Sequence, residues 1–198
     1  MNDLAGKQFG LIIAYVLPGF VAIWALQPFF STLRVWLSAS PSLPAGVESV
    51  FFVTLASTAA GMTVSAFRWG VVDMAHALTG LPRPQWDDSN LPDRLDAFDL
   101  IVEAHYRYYQ FYSNTFVSGI IVLAAGLAAH QPWVASPLHI GLLIVTESVF
   151  FAMSRDTLRK YYVRTSRLLG TLNSTERKDR HGKRQHAQQA DATGKAKF

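Results

Sequence analysis

The 198-residue chain contains no cysteine, which excludes disulfides and thiolate metal sites and leaves the redox compartment unmarked. Charge is scarce too, at 16% of residues, and its distribution matters more than its amount. Between Lys7 and Arg34, between Glu48 and Arg68, and between Arg107 and Glu147 there is no Asp, Glu, Lys or Arg. A water-exposed helix of such length needs a polar face. Also missing are a glycine-rich phosphate loop, a Gly-x-Ser-x-Gly elbow, a zinc-protease motif and a His-x-x-x-His pair. Nucleotide, serine-hydrolase and metal chemistry therefore have no motif behind them, and no cofactor is expected.

What the chain does have is apolar residues, half of the total, gathered into runs. A transmembrane helix needs about 20 residues to cross about 30 Å of hydrocarbon. Four runs qualify, at about 9–30, 49–67, 111–129 and 138–154. The expected fold class is all-α: a polytopic membrane protein, a four-helix transmembrane bundle with helices extended into the cytoplasm. A cleaved signal peptide is the competing reading of the first run, but that run is too long and lacks a small-x-small cleavage site. Pro18-Gly19 inside it predicts a kink that neighbouring helices accommodate.

In the second run small residues recur four apart, Ser57, Gly61 and Ser65 in one row and Ala56 with Ala60 in another. Such rows let helix backbones approach closely in lipid. Its helix should continue past Arg68 until Gly80 and Pro82 stop it, and Leu81 to Pro92 should connect it to a helix restarting near Asp93. From there Leu95, Phe98, Val102, His105, Tyr109, Tyr112 and Phe116 alternate three- and four-residue spacings, the stripe of a packed seam. His105 on that stripe reads as a packed histidine. Tyr106, Tyr108, Tyr109 and Tyr112 front the third span as an interfacial aromatic belt. A ligand-stacking site is the rival reading.

Basic residues are retained on the cytoplasmic side of short loops. With the amino terminus inside, Arg34 is the one Lys or Arg left outside, which favours an even number of spans and both termini cytoplasmic in a bacterial inner membrane. Residues 1–172 then form the transmembrane domain with a cytoplasmic helical stalk at 93–110 and 155–172. Residues 173–198 form a disordered basic tail, since 176–198 carries seven Lys/Arg against three Asp/Glu. Anionic lipid is the expected partner of that tail, ahead of nucleic acid.

Charge also differs between the stalk segments. Arg68 to Arg107 holds seven acids against four arginines, and Arg155 to Arg167 holds five bases against Asp156. Asp96, Asp99 and Glu103 are thus expected to dock near Arg155, Arg159 and Arg164, with tyrosines and apolar residues supplying most of the stability. Glu103 and Arg107, four apart, read as a helix-surface pair, and Asp73 and His76 lie one turn apart.

Glu147 is singled out inside the membrane, where a carboxylate costs roughly 2.5–3.5 kcal/mol. It should face a bundle interior or subunit interface, with Thr146 and Ser148 close by and His139 two turns earlier. Both a protonated interhelical hydrogen bond and an ion or proton pathway fit it.

The expected function is a non-enzymatic, oligomeric membrane protein that is either a conduit or a sensor and anchor for a cytoplasmic protein partner. Its gross layout is similar to small multi-span components of bacterial antiviral and stress systems, an analogy of layout without a shared motif. An intramembrane lipid-modifying enzyme and a small transporter are the alternatives.

Overall fold

The computed structural model describes Gly10 and residues 12–37 and 47–171; the expected tail from residue 173 lies outside them. Every regular element among the described residues is helical. A π-helical turn, Ile12–Val16, leads into α1 (Leu17–Leu26), followed by the short α2 (Ser31–Leu37) and the long α3 (Val47–Leu78). Helix α4 (Leu95–Ile101) passes through a second π turn, Val102–Tyr106, into α5 (Arg107–Ala128), and α6 runs from Pro137 to Leu169.

Three helical stretches are long and apolar enough to cross a membrane: Val50–Leu78, Pro92–Ala128 and Pro137–Leu169. The first apolar helix, Ile12–Leu26, is shorter than the run of 9–30 that suggested it. It ends in a turn at Gln27, one residue before Pro28, which cannot donate to the helical ladder. The 32 residues of α3, by contrast, extend about 48 Å at about 1.5 Å per residue. That exceeds the hydrocarbon core by several turns.

Polarity is inverted relative to a water-soluble protein. Ser57, Arg68, His76, Asn114, Ser118 and Ser154 are buried, whereas Phe51, Met62, Phe67, Leu78, Leu138 and Val145 are exposed. Water would penalise that outer surface heavily, and hydrocarbon would not. Together with the lengths of α3, α5 and α6, this inversion suggests a membrane-spanning protein.

The helices pack through small residues and buried polar contacts. Gly19 of α1 meets Ser57 and Gly61 of α3 so closely that a Cβ on Gly19 would lie 1.8 Å from the Ser57 carbonyl oxygen. A Cβ on Gly61 would lie 2.0 Å from the Tyr15 oxygen. On its other side α1 meets a polar stripe of α5. Asn114 donates its side-chain amide to the Ala14 carbonyl at 2.7 Å, and Ser118 donates to the Pro18 carbonyl at 2.8 Å. Ala14 lies four residues before Pro18, so in an uninterrupted α-helix its carbonyl would face that proline's missing N–H; here the segment Ile12–Val16 is wound as a π turn and the carbonyl takes its donor from Asn114. Gln110 adds a 2.9 Å bond to the Tyr15 hydroxyl.

Helix ends follow local chemistry. Past α3, Gly80 at φ 90 lets Leu81 N–H bond the His76 carbonyl and Gly80 N–H bond Ala77, a Schellman closure before Pro82. The same pair of bonds closes α5, Gln131 to Gly126 and His130 to Leu127, with His130 at φ 49 in the place glycine prefers.

Candidate functional site

The residues with the most chemistry meet where α3, α5 and α6 run together beyond residue 67, the expected end of the second span. On α3, Arg68 and Asp73 are joined at 3.0 Å, with the Arg68 side chain only 5% exposed. The Arg68 guanidinium lies over the Tyr109 ring, 5.1 Å from its centroid. The Tyr109 hydroxyl donates to the same Asp73 Oδ1 in a short hydrogen bond. One carboxylate oxygen therefore ties α3 to itself and to α5.

One turn further along α3, His76 Nε2 lies 3.0 Å from Ser154 Oγ of α6. Ser154 gives its own proton to the Phe151 carbonyl at 2.8 Å, so the imidazole is the donor of the pair. Both side chains are fully buried. Such a closed pair is an interhelical strut; it is not arranged as an accessible nucleophile and base. Arg155, next on α6, donates to the Thr79 carbonyl at 2.7 Å, placing a cation on the carbonyl end of α3.

Next to this polar joint is a cavity of about 350 Å³. Asp73, Tyr109, Leu158 and Tyr161 line it, and Trp69, Leu81, Arg83 and Tyr162 also border it. Its walls are aromatic rings set at angles: Trp86 meets Tyr161 at 83° and Tyr162 at 65°, and Tyr106 meets Tyr161 at 41°. Arg83, exposed, lies over the Trp86 ring at 5.6 Å. The connector that carries Trp86 is held against α6: Trp86 Nε1 donates to Ser166 Oγ at 3.1 Å and Asp87 N–H to the Gly170 carbonyl at 3.2 Å. Trp86 also forms an antiparallel bridge with Thr171.

Comparison with protein-family models, with curated proteins and with solved structures finds no match to this chain. Its chemistry is therefore read from these residues alone.

Glu147 sits elsewhere, on α6 facing α5. Its carboxyl occupies the space above Gly119, where a Cβ would come within 1.7 Å of Glu147 Oε1. Its Oε2 is buried without a hydrogen-bond partner among the described residues. The groove around it, lined by Phe116, Ile120, Leu143, Ile144 and Phe151, is about 500 Å³ and opens outward. Ser148 lines the same groove but directs its hydroxyl to the Ile144 carbonyl at 2.7 Å. Thr146 and His139 are exposed and do not border it.

The other sequence candidates separate in space. Ser57 and Gly61 pack against α1, Ala56 and Ala60 are half-buried, and Ser65 borders an open groove beside Tyr15 and Met62. Of the four tyrosines, Tyr109 is buried, Tyr106 lines the aromatic cavity, Tyr108 is exposed, and Tyr112 packs beside Phe150. In the stalk Asp96, Asp99, Arg159 and Arg164 are exposed, while Glu103 is half-buried with Oε1 unpartnered among the described residues. Contacts between the two stalk segments include Tyr106 against Tyr161 and a hydrogen bond from Arg94 to the Leu168 carbonyl.

Sequence reasoning passed over Arg68, Asn114, Ser154 and Trp86. A signal for Asn114 was present, since Gln110, Ser113, Asn114 and Ser118 recur at helical spacing through the third span. Nothing local marks Ser154 as the partner of a histidine 78 positions away.

Proposed function

We propose that this chain is a non-enzymatic, multi-pass protein of a bacterial inner membrane, with both termini cytoplasmic, and that it works as an oligomeric sensor or anchor for a cytoplasmic partner. The observation carrying this reading is the juxtamembrane aromatic cavity built on the Arg68–Asp73–Tyr109 joint, since the three long helices meet there in a form suited to binding. The scatter of acidic and basic candidates supports a non-enzymatic role: Asp73 lines the cavity, His76 is closed against Ser154, and Glu147 lies in a separate groove.

Glu147 supports the oligomeric part. A carboxyl in an outward-opening apolar groove faces an energetic penalty of roughly 2.5–3.5 kcal/mol unless protein or a proton covers it. A second copy laid along α5 and α6 would cover it. That arrangement also sustains the second reading, a conduit between copies, in which Glu147 recurs as a ring.

Two measurements test the proposal. Reporter fusions after Gly80 and after Asn173 are expected to read cytoplasmic, and an external reading at either position overturns the topology. Mass measurement of the intact assembly in nanodiscs is expected to give more than one copy; a monomer removes the oligomer, and a dimer leaves too few helices for a central conduit.

A further inference from the structure

We propose that the aromatic cavity binds a zwitterion that joins an alkylammonium to a phosphate, the chemistry of a phosphoethanolamine or phosphocholine headgroup. The inference deepens the sensor reading and rests on it only for the depth of the cavity in the membrane.

The cavity offers a site for each end of such a ligand. Asp73 is 33% exposed and receives both Arg68 and Tyr109 on Oδ1, which leaves Oδ2 to accept from an ammonium. The rings of Tyr106, Trp86, Tyr161 and Tyr162 pack on one another at centroid distances of 5.0–6.0 Å and together make an aromatic wall of the cavity. Aromatic faces attract a cation through their quadrupoles, as Arg83 over the face of Trp86 illustrates on the same wall. The exposed Arg83 guanidinium on the cavity wall is a fork for phosphate oxygens.

Charge selects the zwitterion. Arg68 neutralises Asp73, so a bare cation gains no net charge attraction inside and meets Arg83 at the lining. A bare anion suits Arg83 but gains nothing from the ring faces or from the free Asp73 oxygen, which accepts hydrogen bonds and does not donate them. A ligand with an ammonium at one end and a phosphate at the other matches both. The volume, about 350 Å³, suits a headgroup without its acyl chains. Trp69, Tyr106 and Leu158 on its lining all fall within a few residues of the expected span ends, at headgroup depth.

The test uses the full chain in detergent, delipidated and offered equal phosphatidylethanolamine and phosphatidylglycerol, with retained lipid read by native mass spectrometry. Phosphatidylethanolamine should be kept in preference by about tenfold, and Arg83→Gln or Tyr162→Leu should each reduce its retention by roughly five- to tenfold. Arg83 also lies over the Trp86 ring, so the thermal unfolding of Arg83→Gln is read beside its lipid retention, and a loss of retention at an unchanged midpoint marks the ligand contact. Displacement of the lipid by soluble phosphoethanolamine would support a site for the headgroup zwitterion alone, and lack of displacement would support one that also requires the lipid chains. Equal retention of phosphatidylglycerol, or retention unchanged in both variants, overturns the proposal. Because binding in detergent is independent of topology, the reporter fusions can fail without affecting this result, and the reverse.

Discussion

Asn114 on α5 gives its side-chain amide to the carbonyl of Ala14, four residues before Pro18, where the proline offers no α-helical donor. A proline in one helix is thus matched by an asparagine in another, whose acceptor carbonyl lies 100 positions away. A buried carbonyl without a donor costs about 1–3 kcal/mol. Asn114→Ala should lower stability by about that amount, measured by reversible unfolding in mixed micelles. In a Pro18→Ala background the backbone N–H returns, and the same substitution should cost less; equal costs in both backgrounds would sever the link.

Arg68 and Asp73 form a pair closed to solvent on the arginine side. Removing one member strands the other, a loss of about 3–5 kcal/mol for a fully buried pair and less here because Asp73 is partly exposed. Arg68→Met should therefore destabilise the chain more than the double replacement Arg68→Met with Asp73→Leu. Additive losses in thermal unfolding would mean that the two residues do not depend on each other.

Gly119 gives the Glu147 carboxyl its place. Gly119→Ala should force that side chain outward and change assembly mass or stability by about 1–3 kcal/mol, as overpacking does. Combining it with Glu147→Ala should restore most of the loss. If the double variant is no better than Gly119→Ala, backbone strain and not the carboxyl is the cause.

His130 holds a left-handed conformation at the end of α5. Glycine adopts it freely, so His130→Gly should raise stability by about 0.5–1 kcal/mol despite its greater unfolded-state entropy. A lower unfolding midpoint would indicate that the imidazole makes a contact worth more than the strain.

Much of the helical layout was legible because charge-free runs and punctuating residues act locally. Gly80 and Pro82 end α3 as their chemistry requires, and the apolar run of 138–154 lies within α6. The first run was read as longer than its helix because hydropathy continues through Phe29 and Phe30 while the backbone breaks ahead of Pro28. The face of α5 was harder to read. Apolar periodicity selected Tyr112 and Phe116, which are half-buried, whereas Ser113, Asn114 and Ser118 beside them are fully buried. In a lipid setting polar groups turn inward to find partners, so the stripe that marks the core in water marks a different side. The aromatic cavity was only partly visible, because Tyr106 and Tyr109 stood out as a cluster but their partners Trp86 and Tyr161 come from other parts of the chain.

The bridge between Trp86 and Thr171 sets the mechanics of the far end of α6. Thr171 makes there a strand-like contact that also holds one wall of the aromatic cavity. A displacement of Thr171 would therefore be felt at Trp86, and a ligand that tightens the cavity around Trp86 would stiffen the same junction. The end of α6 and the occupancy of the cavity thus share a single point of contact.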